Sequence, residues 1–158
     1  MNIDYKIPKK IFKTPIREID INGIKTGGEN SLLFMHEESG NSLKPLIACE
    51  ILTHIPSNYP ELLKKAWGKE IYNPAECVKI AEKKGFPLIA VRFNIENSDN
   101  IDYEIEKSKE QLKEILLITK LPLLIIGSFK REIDIKLLVE LSRIADRKCT
   151  IGAVEEGN

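Results

Sequence analysis

Two histidines, one tryptophan, three cysteines and no surplus of either charge define this sequence first by what it cannot support. Lys+Arg and Asp+Glu both number 24, so the net charge is zero and the pI about 6.8. With no basic surplus to neutralise phosphates, nucleic acid and anionic membranes are not expected partners. Cys49, Cys77 and Cys149 are odd in number and far apart. They form no CxxC or Cys/His cluster of the kind that holds zinc or an iron-sulfur centre, so no metal site is expected and a reducing cytoplasm is the expected location. No stretch reaches the roughly 18 apolar residues of a membrane-spanning helix, and the opening MNIDYKIPKKIFK lacks the apolar segment of a secretory signal. The phosphate-cradling GxxxxGK[ST] and GxGxxG loops, the GxSxG elbow and the HExxH helix motif are all missing, which argues against nucleotide binding and serine hydrolysis.

What is present is an ordinary globular composition over 158 residues, 42% hydrophobic and 30% charged. One domain of this size buries roughly 70% of its unfolded surface and needs no disulfide or metal staple. Nineteen of the basic residues are Lys and 24 residues are Ile, a bias shared by hyperthermophile proteomes and A+T-rich genomes.

Residues 1–45 read as an N-terminal extension, a hairpin and a Gly-rich loop. From Arg17 to Lys25 apolar and polar residues alternate around Asn22-Gly23, the signature of a β-hairpin. The Gly27-Gly28 pair reads as a structural turn rather than an anion nest. From residue 46 the pattern changes. Leu46–Leu52, Leu88–Phe93, Leu123–Gly127 and Thr150–Val154 are short apolar runs without alternation, as expected of parallel strands buried on both faces. Between them, Ile101, Ile105, Ser108, Leu112, Ile115 and Thr119 mark one helical stripe, and Ile133, Leu137, Leu141 and Ile144 another. The first crossover carries two helical pieces, about 60–66 and 74–84. In the second, Asn73 is a cap, Pro74 a first-position proline, Glu76 a capping-box carboxylate and Gly85 a terminator. The fold class is therefore α/β, a parallel βαβαβαβ arrangement equal to half of a TIM-type (β/α)8 barrel after an N-terminal β-hairpin and loop. A whole barrel needs about 250 residues, so residues 46–158 read as truncated after the fourth strand.

In such sheets ligands and partners meet the C-terminal ends of the strands. Those ends carry Thr53, His54, Arg92, Asn94, Gly127, Ser128 and the tail at Asn158. Arg92 interrupts the apolar run LIAVRFN, and a cation there needs a carboxylate or an anionic ligand; Glu50 in IACEILT is the natural partner. Trp67 and Tyr59 are expected to pack beneath the first crossover.

Several local strings resemble one family. Gly27, Gly28, Glu29, Phe34, His36 and Gly40, then Pro45, Ala48, Glu50 and Pro56, then Asn73, Pro74, Gly85 and Arg92, and last Pro122, Gly127, Ser128, Asp134, Gly152 and Asn158 follow one another in the order of its pattern. The chain from about residue 17 onward is similar to the delta subunit of the acetyl-CoA decarbonylase/synthase complex, the family that includes the small subunit of the bacterial corrinoid/iron-sulfur protein. The resemblance implies a (β/α)8 barrel that takes part in methyl transfer between a methylated pterin, a corrinoid cobalt and the acetyl-CoA synthase centre. It implies a heterodimer with a gamma or large subunit that carries the cluster and most corrinoid (cobamide) contacts, the corrinoid lying at the interface and no cofactor being bound by this chain alone. This chain departs from the family where Thr53 and His54 follow the first strand in place of an acidic residue, and where Gly157 precedes Asn158. The expected role is a non-catalytic scaffold. The alternatives are a stand-alone pterin- or phosphate-binding barrel relative with methyltransferase activity, and a structural module that dimerises. Four strands with an apolar inner face need a cover, supplied by a second half-barrel, a homodimer partner or the hairpin; a separate polypeptide is the favoured one.

Overall fold

The structure is a computed structural model that describes residues 17–28, 45–95, 99–146 and 149–152. Two compact units divide the chain, Met1–Leu46 and Ile47–Asn158. In the first, strands β1 (Ile19–Ile21) and β2 (Ile24–Thr26) pair antiparallel, with Ile21 opposite Ile24. The two residues between them, Asn22 (φ 48°) and Gly23 (φ 91°), both lie in the left-handed region that a tight two-residue hairpin turn demands, and the Gly23 N–H donates to Asp20 Oδ1 at 2.6 Å. The hairpin expected from the alternation is present. The lead-in before Arg17 and most of the Gly-rich loop lie outside the described residues.

The second unit is a four-stranded parallel sheet: β3 (Ala48–Leu52), β4 (Leu88–Arg92), β5 (Leu123–Ile126) and β6 (Cys149–Gly152), side by side in chain order. Between them come α1 (Glu61–Trp67) with a 3-10 turn (Gly68–Tyr72) and α2 (Pro74–Lys83), then α3 (Ile101–Ile118), then α4 (Arg131–Ala145). Sequential order separates this arrangement from a doubly wound sheet, whose strand order reverses at a switch point. Winding that never reverses, with α2, α3 and α4 packed on one face, is half of an α/β barrel.

Register decides what each face buries. Cys49, Ile89 and Leu123 lie abreast, and so do Ile51, Val91 and Ile125. All six are buried in one core with Val78 and Ala81 of α2, Leu112 and Ile115 of α3, and Leu137 and Leu141 of α4. Each Val, Leu or Ile among them removed from water contributes about 1.5–3 kcal/mol, so these layers drive the fold. The α3 stripe is the one the spacing predicts, with Ile105, Ser108, Leu112 and Ile115 buried; on α4 Ile133, Leu137 and Leu141 are buried as expected, and Ala145 is buried where the expected Ile144 is only partly so. The opposite face of the sheet carries Glu50, Ala90, Leu124 and Thr150 in one row, then Leu52, Arg92, Ile126 and Gly152 in the next. The expectation of an apolar inner face is thus corrected: Ile51, Ile89, Val91 and Ile125 face the helices, and the inward face is mixed in polarity.

Local signals around α2 are met with one exception. The Asn73 side chain accepts from the Ala75 and Glu76 N–H groups at 2.9 and 3.3 Å, and Pro74 takes the first helical position. At the other end the Phe86 N–H reaches Ala81 O and the Gly85 N–H reaches Glu82 O, a Schellman closure around Gly85 at φ 83°. The capping box does not close. The Asn73 N–H already donates to Glu70 O of the 3-10 turn, and Glu76 pairs with Lys79 at 2.7 Å instead. β3 alone starts later than its apolar run, at Ala48, with Ile47 64% exposed; β4 and β5 start where their runs do and β6 one residue earlier. Asn73→Ala is expected to cost about 1 kcal/mol of unfolding free energy, whereas Glu76→Gln costs only a few tenths of that because it removes one exposed helix pair; urea denaturation of both variants separates the two.

Candidate functional site

The C-terminal edge of the sheet is assembled by three connections between strand ends. Thr53, just past β3, donates its N–H to Arg92 O at 3.0 Å and its hydroxyl to the same oxygen at 3.2 Å, while Gln111 of α3 donates to Thr53 O at 3.3 Å. One residue further, the Asn94 amide clamps the His54 main chain in both directions: its Oδ1 accepts the His54 N–H at 2.8 Å and its Nδ2 donates to His54 O at 2.8 Å. This side-chain mimic of a strand pair extends the β3–β4 contact beyond the sheet. His54 itself is exposed and Thr53 is buried.

Arg92 forms the second connection. Glu50 and Arg92 are diagonal neighbours on the same face of adjacent strands, close enough for long side chains to meet. Arg92 Nη1 lies 3.4 Å from Glu50 Oε1, the pairing that the sequence predicts for a cation in an apolar run. The guanidinium also stacks over the Phe129 ring at 4.0 Å from its centroid, a contact worth about 0.5–2 kcal/mol. The side chains of Arg92 and Glu50 are 32% and 50% exposed, so water screens the ion pair and its own contribution stays at about 0–1 kcal/mol. Arg92 Nε is buried without a hydrogen-bond partner among the described residues.

The third connection explains how Phe129 reaches Arg92. Asp134, in the first turn of α4, turns back onto the loop after β5. Its Oδ1 accepts from the Ser128 N–H and hydroxyl, each at 2.7 Å, and its Oδ2 from the Phe129 N–H at 3.0 Å. Phe129 is held at φ 66°, a left-handed conformation unusual for an aromatic residue, and this carboxylate pins it there. Gly127 is required for the same reason, since a Cβ at that position would collide with the Asp134 carboxylate. The two backbone N–H groups that would cradle a ligand anion at this loop are therefore filled by the chain's own carboxylate.

Of the residues expected at this edge, Thr53, His54, Arg92, Asn94, Gly127 and Ser128 come together around the ends of β3, β4 and β5; Asn158 lies outside the described residues. Phe129 and Gln111 are added by the structure. No local signal marks either, because both act through contacts with distant parts of the chain. Beside the edge, Cys77 lines a cavity with Tyr59 and Trp67. Burial pushes its thiol up to about 11, and its Sγ donates to Glu70 O at 3.3 Å, so at neutral pH it is a thiol and not a thiolate nucleophile. Among the described residues no three His, Cys, Asp or Glu side chains gather around one metal position. None of the described helices is long and apolar enough to cross a membrane.

No protein-family model matches this sequence, and no curated protein matches it.

Gly127→Ala is expected to destabilise the fold by about 1–3 kcal/mol through the forced contact, and Asp134→Ala by a similar amount through the lost loop bonds. In the double variant the clash has no partner, so the combined cost should fall short of the sum by about 1 kcal/mol or more. A double-mutant cycle from chemical denaturation checks this.

Proposed function

We propose that this chain is a non-catalytic scaffold whose inward sheet face and strand ends dock a partner subunit, in the manner its resemblance to the delta subunit of acetyl-CoA decarbonylase/synthase implies. The partner is then the gamma or large subunit that carries the iron-sulfur cluster and a corrinoid, and the joint task is corrinoid-dependent methyl transfer. One observation carries this reading. The sheet has a helix-covered apolar face and a second face on which Arg92 and Glu50 remain partly exposed, while among the described residues neither β3 nor β6 has a strand on its outer side. Unpaired edges and a mixed, half-open face are surfaces that a second protein covers.

The strand ends support scaffolding over catalysis. The polar groups of Thr53, Asn94, Ser128 and Asp134 are spent on holding the chain to itself. The exposed imidazole of His54 is the side chain at this edge best placed to meet a cofactor that the partner holds. Asp134 also weighs against the phosphate-binding alternative at the β5–α4 loop, because an incoming anion would have to displace it.

Sedimentation velocity of the chain mixed with a corrinoid-loaded large subunit, followed at the corrinoid absorbance, tests the reading. A one-to-one complex at micromolar concentration is expected. Unshifted sedimentation of the corrinoid, together with saturable heat on titrating a tetrahydropterin into the chain alone, would replace it with the stand-alone methyltransferase.

A further inference from the structure

A cavity of about 340 Å³ opens along the outer edge of β3, within the range of small-molecule sites. Its lining divides by chemistry. The crossover between β3 and α2 supplies an apolar and aromatic wall from Tyr59, Leu63, Trp67 and Ile71, and the sheet supplies Glu50 and Arg92. Trp67 packs against the core, as expected beneath this crossover, and together with Tyr59 it also faces the cavity.

The two charges are under-used where they stand. Their single contact of 3.4 Å is longer than the roughly 2.7–2.9 Å of a charge-assisted hydrogen bond. A guanidinium has five donors, and among the described residues Nη1 alone meets the carboxylate, while the buried Nε finds no acceptor. A ligand bearing only a negative or only a positive group would leave net charge against an apolar wall, where desolvation opposes it. A ligand with one group of each sign keeps the site neutral and gives both residues a better partner. In an α-amino acid the ammonium and carboxylate are one carbon apart, a separation on the same scale as that between Arg92 and Glu50.

We propose that this cavity binds a hydrophobic α-amino acid, with its carboxylate on Arg92, its ammonium on Glu50 and its side chain against the wall formed by Trp67, Tyr59 and Leu63. The proposal does not depend on the docking role above, because the site is built from one chain and needs no partner.

Trp67 is the only tryptophan in the sequence, so its emission reports occupancy of the cavity without a label. Titration of the full chain with L-leucine or L-phenylalanine should give a saturable change in that emission, with calorimetry returning the same constant. Binding of 3-phenylpropionate, which lacks the ammonium, and of phenethylamine, which lacks the carboxylate, should each be weaker by about tenfold or more, equivalent to about 1.4 kcal/mol. Arg92→Gln and Glu50→Gln should each weaken L-phenylalanine by a similar factor. The analogue series on the unaltered chain keeps the test decisive if either variant folds poorly. The absence of saturable binding of either amino acid at millimolar concentration overturns the proposal, and so does equal affinity for L-phenylalanine and 3-phenylpropionate.

Discussion

The second unit depends on the burial of one face of its sheet against three helices. Ile51, Val91 and Ile125 lie abreast, Cys49, Ile89 and Leu123 form the row below, and α2, α3 and α4 close over both. Because side chains alternate along a strand, committing these residues to the helices commits Glu50, Leu52, Ala90, Arg92, Leu124 and Ile126 to the other side. The Arg92–Glu50 pair, the stacking of Phe129 and the cavity beside β3 all follow from that single choice of face.

Once the sheet is wound in one direction, its C-terminal edge has to be tied together by side chains, since the regular ladder stops there. Asn94 does this for β3 and β4 by pairing with the main chain of His54, and Asp134 does it for the β5–α4 loop by filling the Ser128 and Phe129 N–H groups. These ties cost the edge its free donors. Arg92 is joined to Glu50 on one side and Phe129 on another, with a buried Nε–H that no group among the described residues accepts.

Most of the architecture was legible in the sequence, for definite reasons. Unbroken apolar runs of strand length predict parallel strands joined by helices, although only β4 is buried along most of both faces while β3 and β5 alternate between buried and partly exposed positions. The three-four spacing of Ile105, Ser108, Leu112 and Ile115 identifies a helix face, including the polar Ser108, whose hydroxyl is satisfied by Glu104 O. The same unbroken runs conceal which residues face the helices, because both sets are apolar; Glu50 and Arg92 were the markers of the other face. The capping box was misread because the 3-10 turn that takes the Asn73 N–H has no periodic signature of its own. Phe129 and Gln111 were invisible for a different reason. Each contributes through one tertiary approach, the ring to a guanidinium on β4 and the amide to a carbonyl beyond β3, and neither leaves a pattern in its own neighbourhood.

The central claim is the proposal that a second protein surface completes this sheet, whose strands β3 and β6 have no outer neighbour among the described residues. Sedimentation equilibrium of the chain alone over a range of micromolar concentrations, with amide hydrogen exchange on the same samples, tests it most directly. The account predicts concentration-dependent association, with β3 and β6 amides gaining protection as the associated form grows. A concentration-independent monomer whose β3 and β6 amides are already protected would contradict it, because the chain would then have closed its own edges.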